Sequence, residues 1–310
     1  MIARVIAIAL NTYREAVRAR LLLGLFAIAL ATCGYSLIVA SLSLHNELRV
    51  IADLGAASIS LYGVVVAIVL GSTSLHRELE YKTIFPILSR PLRRWEYIVG
   101  KYLGTILTVC VFVSIDAAAL FTLLALEAGQ TPWKLGAMAL VMLGVLAVLG
   151  LRARHTRVYV VIPWSAVLAV LAWLVASPAA HERQLVSASA VLALGEVAIV
   201  AAIATFFSSF SSPFLTATFT GMIFVIGRSA DTLAHLPKKL FGQTIVASGR
   251  AMARVLPNLH VYVPPRSLLL GEVATAPVWS YVAAAMVHAI FYVTALLVGS
   301  ALAFSRRDFS

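Results

Sequence analysis

Eight stretches of nearly unbroken apolar residues, near 21–42, 52–75, 98–126, 135–151, 158–176, 187–208, 212–228 and 278–304, leave this chain little choice of solvent. A helix needs about 20 apolar residues to cross the hydrocarbon core of a bilayer. Most of the stretches reach that length; 135–151 and 212–228 are the short ones. The balance of residues agrees: 61% of the chain is apolar and 12% charged, against about 45–50% and 25% in a soluble domain. Thirteen acids and 24 Lys/Arg cannot coat a water-facing surface on 310 residues, whereas lipid-facing positions need no such coat. A β-barrel is excluded, because barrel strands alternate in polarity and run only about ten residues. The expected fold is an all-α integral membrane protein with about eight transmembrane helices.

The first 20 residues are not a clean span. On a helical wheel Ile2, Val5, Ile6, Ala9, Tyr13 and Val17 share one face, with Arg4, Asn11, Glu15 and Arg18 opposite. That pattern predicts an amphipathic helix lying in the headgroup plane. A signal peptide fits poorly, because the apolar run Val5–Leu10 is short and a charged stretch follows it instead of a small-residue cleavage site. The organisation is therefore an interfacial helix over 1–20 and a transmembrane domain over 21–310.

A net charge of +11 raises the question of nucleic acid. The basic residues sit in short clusters between apolar runs, with no nucleic-acid motif among them, which is how membrane proteins orient themselves. With both termini cytoplasmic, fifteen Lys/Arg fall inside, grouped at Arg4–Arg20, Arg77–Lys101, Arg152–Arg157 and Arg306–Arg307. The short outer loops hold one each: Arg49, Lys134 and Arg183. Six more lie in the long outer segment 228–277, and long loops cross largely regardless of charge. A re-entrant stretch at 212–228 would change that segment's sidedness. Cys33 and Cys110 lie inside apolar runs, so no disulfide framework is expected.

The most patterned polar stretch is 76–104, HRELEYKTIFPILSRPLRRWEYIVGKYLG. Glu78 and Lys82 are spaced to support a short helix. Pro86 and Pro91 bracket a turn that ends it, and Arg90, Arg93 and Arg94 follow at the membrane edge. As residues alone, these fit either a solvated positive-inside loop or a helix built to meet a partner.

The stretch strongly resembles the ABC-2 permeases, the membrane subunits of a class of ABC transporters. The family pattern is an acidic pair, a Thr, a Leu-Ser-Arg-Pro-x-x-Arg run, an aromatic stretch and Gly-Lys. It is matched here by Glu78, Glu80, Thr83, Leu88, Ser89, Arg90, Pro91, Arg94, Tyr97, Gly100 and Lys101. NTYREAVRAR near the start, Leu256-Pro257-Asn258-Leu259, and the ending Phe304–Phe309 resemble further family segments. The resemblance implies a six-span core, with 135–151 and 158–176 as an extra pair. It implies that 76–97 is a coupling helix, contacting a separate ATPase subunit through Glu78, Glu80, Thr83, Leu88, Pro91 and Arg94. It also implies an outer gate within 229–277, around Pro257 and Asn258. ATP and Mg would be bound by that ATPase and not by this chain, which would itself be no enzyme. The expected assembly is an exporter in the cytoplasmic (inner) membrane. This chain would pair with a second copy or a sibling permease, surrounded by membrane lipid and with room for an accessory periplasmic protein. No nucleic acid is expected.

The chain carries no G-x-x-x-x-G-K-[ST] phosphate loop; at Gly100-Lys101 the first glycine position is Trp95. No HExxH, GxSxG or metal-spaced His/Cys set occurs, so no metal site is expected. His288, inside the last apolar run, is expected to make an interhelical hydrogen bond. Two acids, Asp116 and Glu196, fall within spans, where a carboxylate faces the bundle interior or a water-filled cavity. Both are candidates for a translocation path. For Asp116, interhelical glue is an equal alternative; for Glu196, among Ala193, Gly195 and Ala198, glue is the favoured reading. Gly100 and Gly104 form a GxxxG that can mark a close helix contact. The segment 229–277, with Pro237, Pro257, Pro264, Pro265 and Pro277 among apolar patches, suits short helices dipping into the outer membrane face. Two other classes remain open: an ion-gradient-driven secondary transporter, which would show broken spans in matching halves, and an intramembrane lipid-modifying enzyme using Asp116, Glu196 or His288.

Overall fold

A computed structural model of the chain describes residues 2–43, 46–80, 93–153, 156–235, 238–263 and 278–305. In chain order the helices are α1 (Ile2–Val17), α2 (Arg20–Ser41), α3 (Glu47–Glu80), α4 (Arg94–Glu127), α5 (Pro132–Arg152), α6 (Arg157–Val175), α7 (Ala180–Ser208), α8 (Pro213–Arg228), α9 (Ala230–Ala234), α10 (Lys238–Val255) and α11 (Val278–Ser305). Short 3-10 turns occur at Ser177–Ala179 and Leu259–Tyr262. No strand occurs among the described residues. All eight apolar stretches are helices, and the described chain is that of an all-α, multi-pass membrane protein.

Among the described residues, seven helices are long and apolar enough to cross a membrane, where the sequence suggested about eight spans. The exception is α8, with 16 residues. At a rise of 1.5 Å per residue it spans roughly 24 Å, short of a hydrocarbon core of about 30 Å. The stretch 135–151, also short in the sequence, gains a full turn from Pro132 at the first helical position and becomes the 21-residue α5. Gly129 separates α4 from α5. Its φ of 86° is left-handed, and the N–H groups of Gly129 and Gln130 donate back to Leu126 and Ala125. That is the glycine-terminated helix end that a residue with a Cβ makes only under strain.

The coupling segment starts differently from expectation. Instead of a separate short helix around Glu78 and Lys82, α3 runs without a break to Glu80, while its apolar part ends at Thr73. Glu78 and Glu80 thus ride on an extension of a spanning helix. Thr83, Leu88 and Pro91 lie outside the described residues.

The chain forms two compact units: unit 1 comprises Met1–Ile8, Ala67–Leu103 and Gly195–Ser310, and unit 2 comprises Ala9–Val66 and Gly104–Leu194.

Unit 1 is organised around α7. Val197 and the run from Ile199 to Ala204 are buried on every side of the helix, the mark of a helix enclosed by others. Its alanines let neighbours close in: a Cβ placed on Gly71 of α3 would lie 2.5 Å from the Cβ of Ala204. Tyr102 of α4 donates its hydroxyl to the Ala198 carbonyl at 3.2 Å. Without water to drive association, such small-residue contacts are what hold spanning helices together.

Unit 2 joins α2, α3 and α4 through Phe26 edge-on to Phe112 and a Thr32–Tyr62 hydroxyl pair at 2.8 Å. The α5–α6 pair is far less covered. Met142 is the only buried residue of α5, while Leu140, Leu143 and Leu151 are exposed. Trp164 of α6 ties the two helices by donating to the Met142 carbonyl at 2.8 Å.

The GxxxG of α4 receives α1. In unit 1 a Cβ on Gly100 would meet the Cβ of Ile8 at 2.7 Å; in unit 2 one on Gly104 would meet the Ala9 carbonyl and the Thr12 Cβ at 2.5 Å. The face that α1 buries overlaps the apolar face of the wheel in part, at Ala9 and Tyr13. Ile2 and Ile6 are 72% and 50% exposed, whereas Ala9, Thr12, Tyr13 and Ala16 are buried. Hydropathy pointed to the isoleucines. At the glycines α1 presents Ile8, Ala9 and Thr12. Tyr13 completes the seat, donating to the Val158 carbonyl at 3.2 Å and stacking on Tyr159; burial pushes its hydroxyl pKa up to about 12.

Candidate functional site

A polar cluster within unit 1 forms where α8 stops. Antiparallel to α7 after a turn at Ser208–Ser212, α8 ends at Arg228, whose guanidinium donates to Glu196 in α7. Glu196 is fully buried, and the Arg228 side chain is one-third exposed. Glu196 lies about 24 Å along α7 from its start and about 18 Å from its end, taking 1.5 Å per residue. The charge pair therefore sits deep along the helix and not at its tip. Isolated, a buried carboxylate would carry a desolvation cost of several kcal/mol; the arginine at the helix end offsets it. A cation in the last turn also suits the negative end of the helix dipole.

The chain after α8 returns to the same level. Asn258 accepts the His260 N–H through Oδ1 at 3.0 Å and so starts the 3-10 turn Leu259–Tyr262. Leu259 and the Pro257 carbonyl press on Gly227, where a Cβ would lie 2.7 Å from that carbonyl. Tyr262 lies against Gly195, the neighbour of Glu196, where a Cβ would be 2.8 Å from the ring. Its hydroxyl donates to the Ala285 carbonyl at 3.1 Å and lies 3.0 Å from His288 Nδ1 in α11. Burial, helped by the negative charge of Glu196, raises the Tyr262 pKa. Tyr281 donates to the Val261 carbonyl at 2.5 Å, pinning the turn. Residues 257–262 are thus a structured plug against the interior, and Pro257 and Asn258 shape it.

The buried stripe of α8 is Thr216, Thr220 and Gly227. Thr218 bonds its hydroxyl to the preceding turn at Phe214, the usual outlet for a helical threonine. The hydroxyls of Thr216 and Thr220 are buried without a partner among the described residues. At the other end of α8, Phe206, Phe207, Phe210 and Phe219 cluster with ring centroids 5.3–5.8 Å apart.

Asp116 has a separate setting, in unit 2. The Cys33 thiol donates to its Oδ1 at 3.2 Å and lies 3.7 Å from the Ser58 hydroxyl. All three are buried, and Asp116 Oδ2 has no hydrogen-bond partner among the described residues. Asp116 and Glu196 therefore serve two different clusters.

Arg94, expected to face a partner, bonds within the chain. Its guanidinium donates to the Phe304 and Ser305 carbonyls at 3.1 and 2.9 Å, capping the end of α11, and Tyr97 stacks on Phe304. Arg228, Tyr262, Thr216, Thr220 and Cys33 were not singled out by the sequence. The available signal was the conjunction of a buried acid in one apolar run with an arginine closing the next. Among the described residues no group of three or more His, Cys, Asp or Glu side chains could hold a metal ion. Neither protein-family models nor curated proteins give a match to this chain.

Proposed function

We propose that this chain is the permease subunit of an ATP-driven ABC exporter of the ABC-2 kind, in the cytoplasmic membrane with both termini inside. It pairs with a second copy or a sibling permease and is driven by separate ATPase subunits that bind ATP and Mg. The observation that carries this reading is the Arg94 anchor. A docking helix does mechanical work only if its displacement reaches the spans. Within 76–97, α3 runs unbroken to Glu80 and α4 begins at Arg94, which holds the end of α11. A push at that segment is thereby delivered to three spanning helices together, the kind of rigid-body transmission that hinge-and-shear switches use. In this reading the Glu196–Arg228 pair and the Thr216/Thr220 stripe form the polar interior, and the turn at Pro257–Tyr262 closes it from outside.

The test is isolation of the full-length chain from its native membrane. An ABC ATPase should co-purify with the wild type and be lost from Glu78→Lys. Recovery of the chain with no nucleotide-binding partner would remove the proposal.

One observation favours a second reading. The interrupted α8, ending beside a buried acid, is what gradient-driven transporters use to build a mid-membrane site. Such transporters repeat the device in their two halves, and among the described residues it occurs once. Reconstituted alone, a secondary transporter would move substrate under an ion gradient without ATP. An intramembrane lipid-modifying enzyme is less well served, since Asp116 bonds to Cys33 and Glu196 to Arg228, so no catalytic acid pair is assembled.

A further inference from the structure

The anchor of Arg94 on α11 borders a groove of about 670 Å³ within unit 1, between the first turns of α4 and the last turns of α11. Its walls are Trp95, Val99, Val298, Ala301 and Leu302, with Arg94 at one end. Val298 and Leu302 are 55% and 59% exposed, so this wall opens outward instead of into the bundle.

The two ends of the groove differ. Towards Val99 and Thr294 both helices are apolar. At the Arg94 end, Arg93 is exposed, and the neighbouring sequence is basic, with Arg90 before it and Arg306 and Arg307 after Ser305. The acids in the same stretches are Glu96 and Asp308, and Glu96 is buried, accepting the Arg93 backbone N–H at 3.2 Å. Among the described residues, Arg93 and Arg94 leave this end positive. Trp95 beside it is a residue type enriched where headgroups begin. An apolar slot between spanning helices with a basic mouth matches an anionic phospholipid: hydrocarbon for the slot, phosphate for the mouth. A zwitterionic lipid also brings a phosphate, but its cationic headgroup sets a positive charge beside the arginines and cancels the net attraction.

We propose that this groove is a binding site for an anionic phospholipid, with an acyl chain along Val99, Val298 and Ala301 and the phosphate at Arg93. The site does not depend on what the chain transports, or on whether it transports at all.

Trp95 is a built-in reporter. The full chain is reconstituted in phosphatidylcholine vesicles containing increasing brominated phosphatidylglycerol, or brominated phosphatidylcholine in its place. Trp95 emission is taken as the difference between wild type and Trp95→Phe. Phosphatidylglycerol should quench at a mole fraction at least about fivefold lower than phosphatidylcholine, and Arg93→Gln should shift the midpoint up about fivefold, the effect of one basic group near a headgroup. Ala301→Phe, filling the slot, should abolish quenching by both lipids while thermal unfolding stays cooperative. If that variant does not fold, the lipid comparison and Arg93→Gln still decide the matter. Equal quenching by the two lipids, or an unmoved midpoint in Arg93→Gln, overturns the site. So does a Trp95 shielded from both lipids by a second copy of the chain or by another protein, seen on crosslinking.

Discussion

Arg228 reaches Glu196 from the last turn of a helix that ends where the acid lies, so a half-length helix and a buried carboxylate account for each other. A longer α8 would carry Arg228 past the acid. A missing Glu196 would take the carboxylate from a guanidinium that is only one-third exposed.

Removing one partner should cost more than removing both. Arg228→Met strands a fully buried carboxylate and should destabilise by about 3 kcal/mol, the low end for a broken buried pair because the arginine is partly exposed. Glu196→Gln combined with Arg228→Met should recover most of that loss. Thermal unfolding in detergent of both single variants and the double measures the coupling, and simple additivity would show that the pair is not coupled.

Gly104→Ala should destabilise by about 1–3 kcal/mol, the usual range for overpacking. The new methyl would sit 2.5 Å from the Ala9 carbonyl, a backbone atom that cannot turn aside. Gly144→Ala in α5, with nothing within 4 Å, should be neutral or slightly stabilising. Denaturation of the two variants side by side checks the α1 seat. A stable Gly104→Ala would mean that α1 is not seated there.

The coupling segment predicts a contrast between ends of the molecule. Glu78→Lys or Glu80→Lys should weaken ATPase association or uncouple hydrolysis from transport, whereas the same reversal at Glu127 or Glu182 should do neither. Arg94→Ala should lower stability by about 1.5–3 kcal/mol, because its bonds to the Phe304 and Ser305 carbonyls are charge-assisted. It should also reduce coupling even where the ATPase still binds. Co-purification and ATP turnover across the five variants separate docking from transmission.

Asp116→Leu removes the acceptor of the Cys33 thiol and an oxygen that has no partner among the described residues. If Asp116 lines a polar route, transport falls strongly in Asp116→Leu and less in Asp116→Asn, with assembly intact. Normal transport by Asp116→Leu would end any pathway role for it.

Orientation can be read chemically. With Cys33 and Cys110 replaced by serine, new cysteines at Ser89 and Ser310 should resist a membrane-impermeant thiol reagent in intact cells and react after permeabilisation. Reaction of either from outside reverses the topology.

Hydropathy located the helices because solvent preference belongs to each residue and sums along a window. Every apolar stretch became a helix, and even the weakness of 212–228 was legible from its length. The candidate site was legible only in part. Glu196 and Asp116 stood out as acids inside apolar runs, but their partners did not. Cys33 is an ordinary apolar-run residue until Asp116 lies 3.2 Å from it, and Arg228 reads as one more loop cation until α8 folds back along α7.

What the sequence determined by itself is that this chain lives in a bilayer as a set of helices, with its basic residues gathered mainly in a few clusters. Those are sums over neighbouring residues. What only the tertiary structure decided is which face α1 buries, where α8 ends relative to Glu196, and that Arg94 turns to its own last helix. Each of these is set by an approach between segments distant in the chain, through a glycine notch, a short helix or a pair of open carbonyls. Helix packing is a choice among surfaces of nearly equal hydropathy, so shape and hydrogen bonding, which no local window records, make that choice.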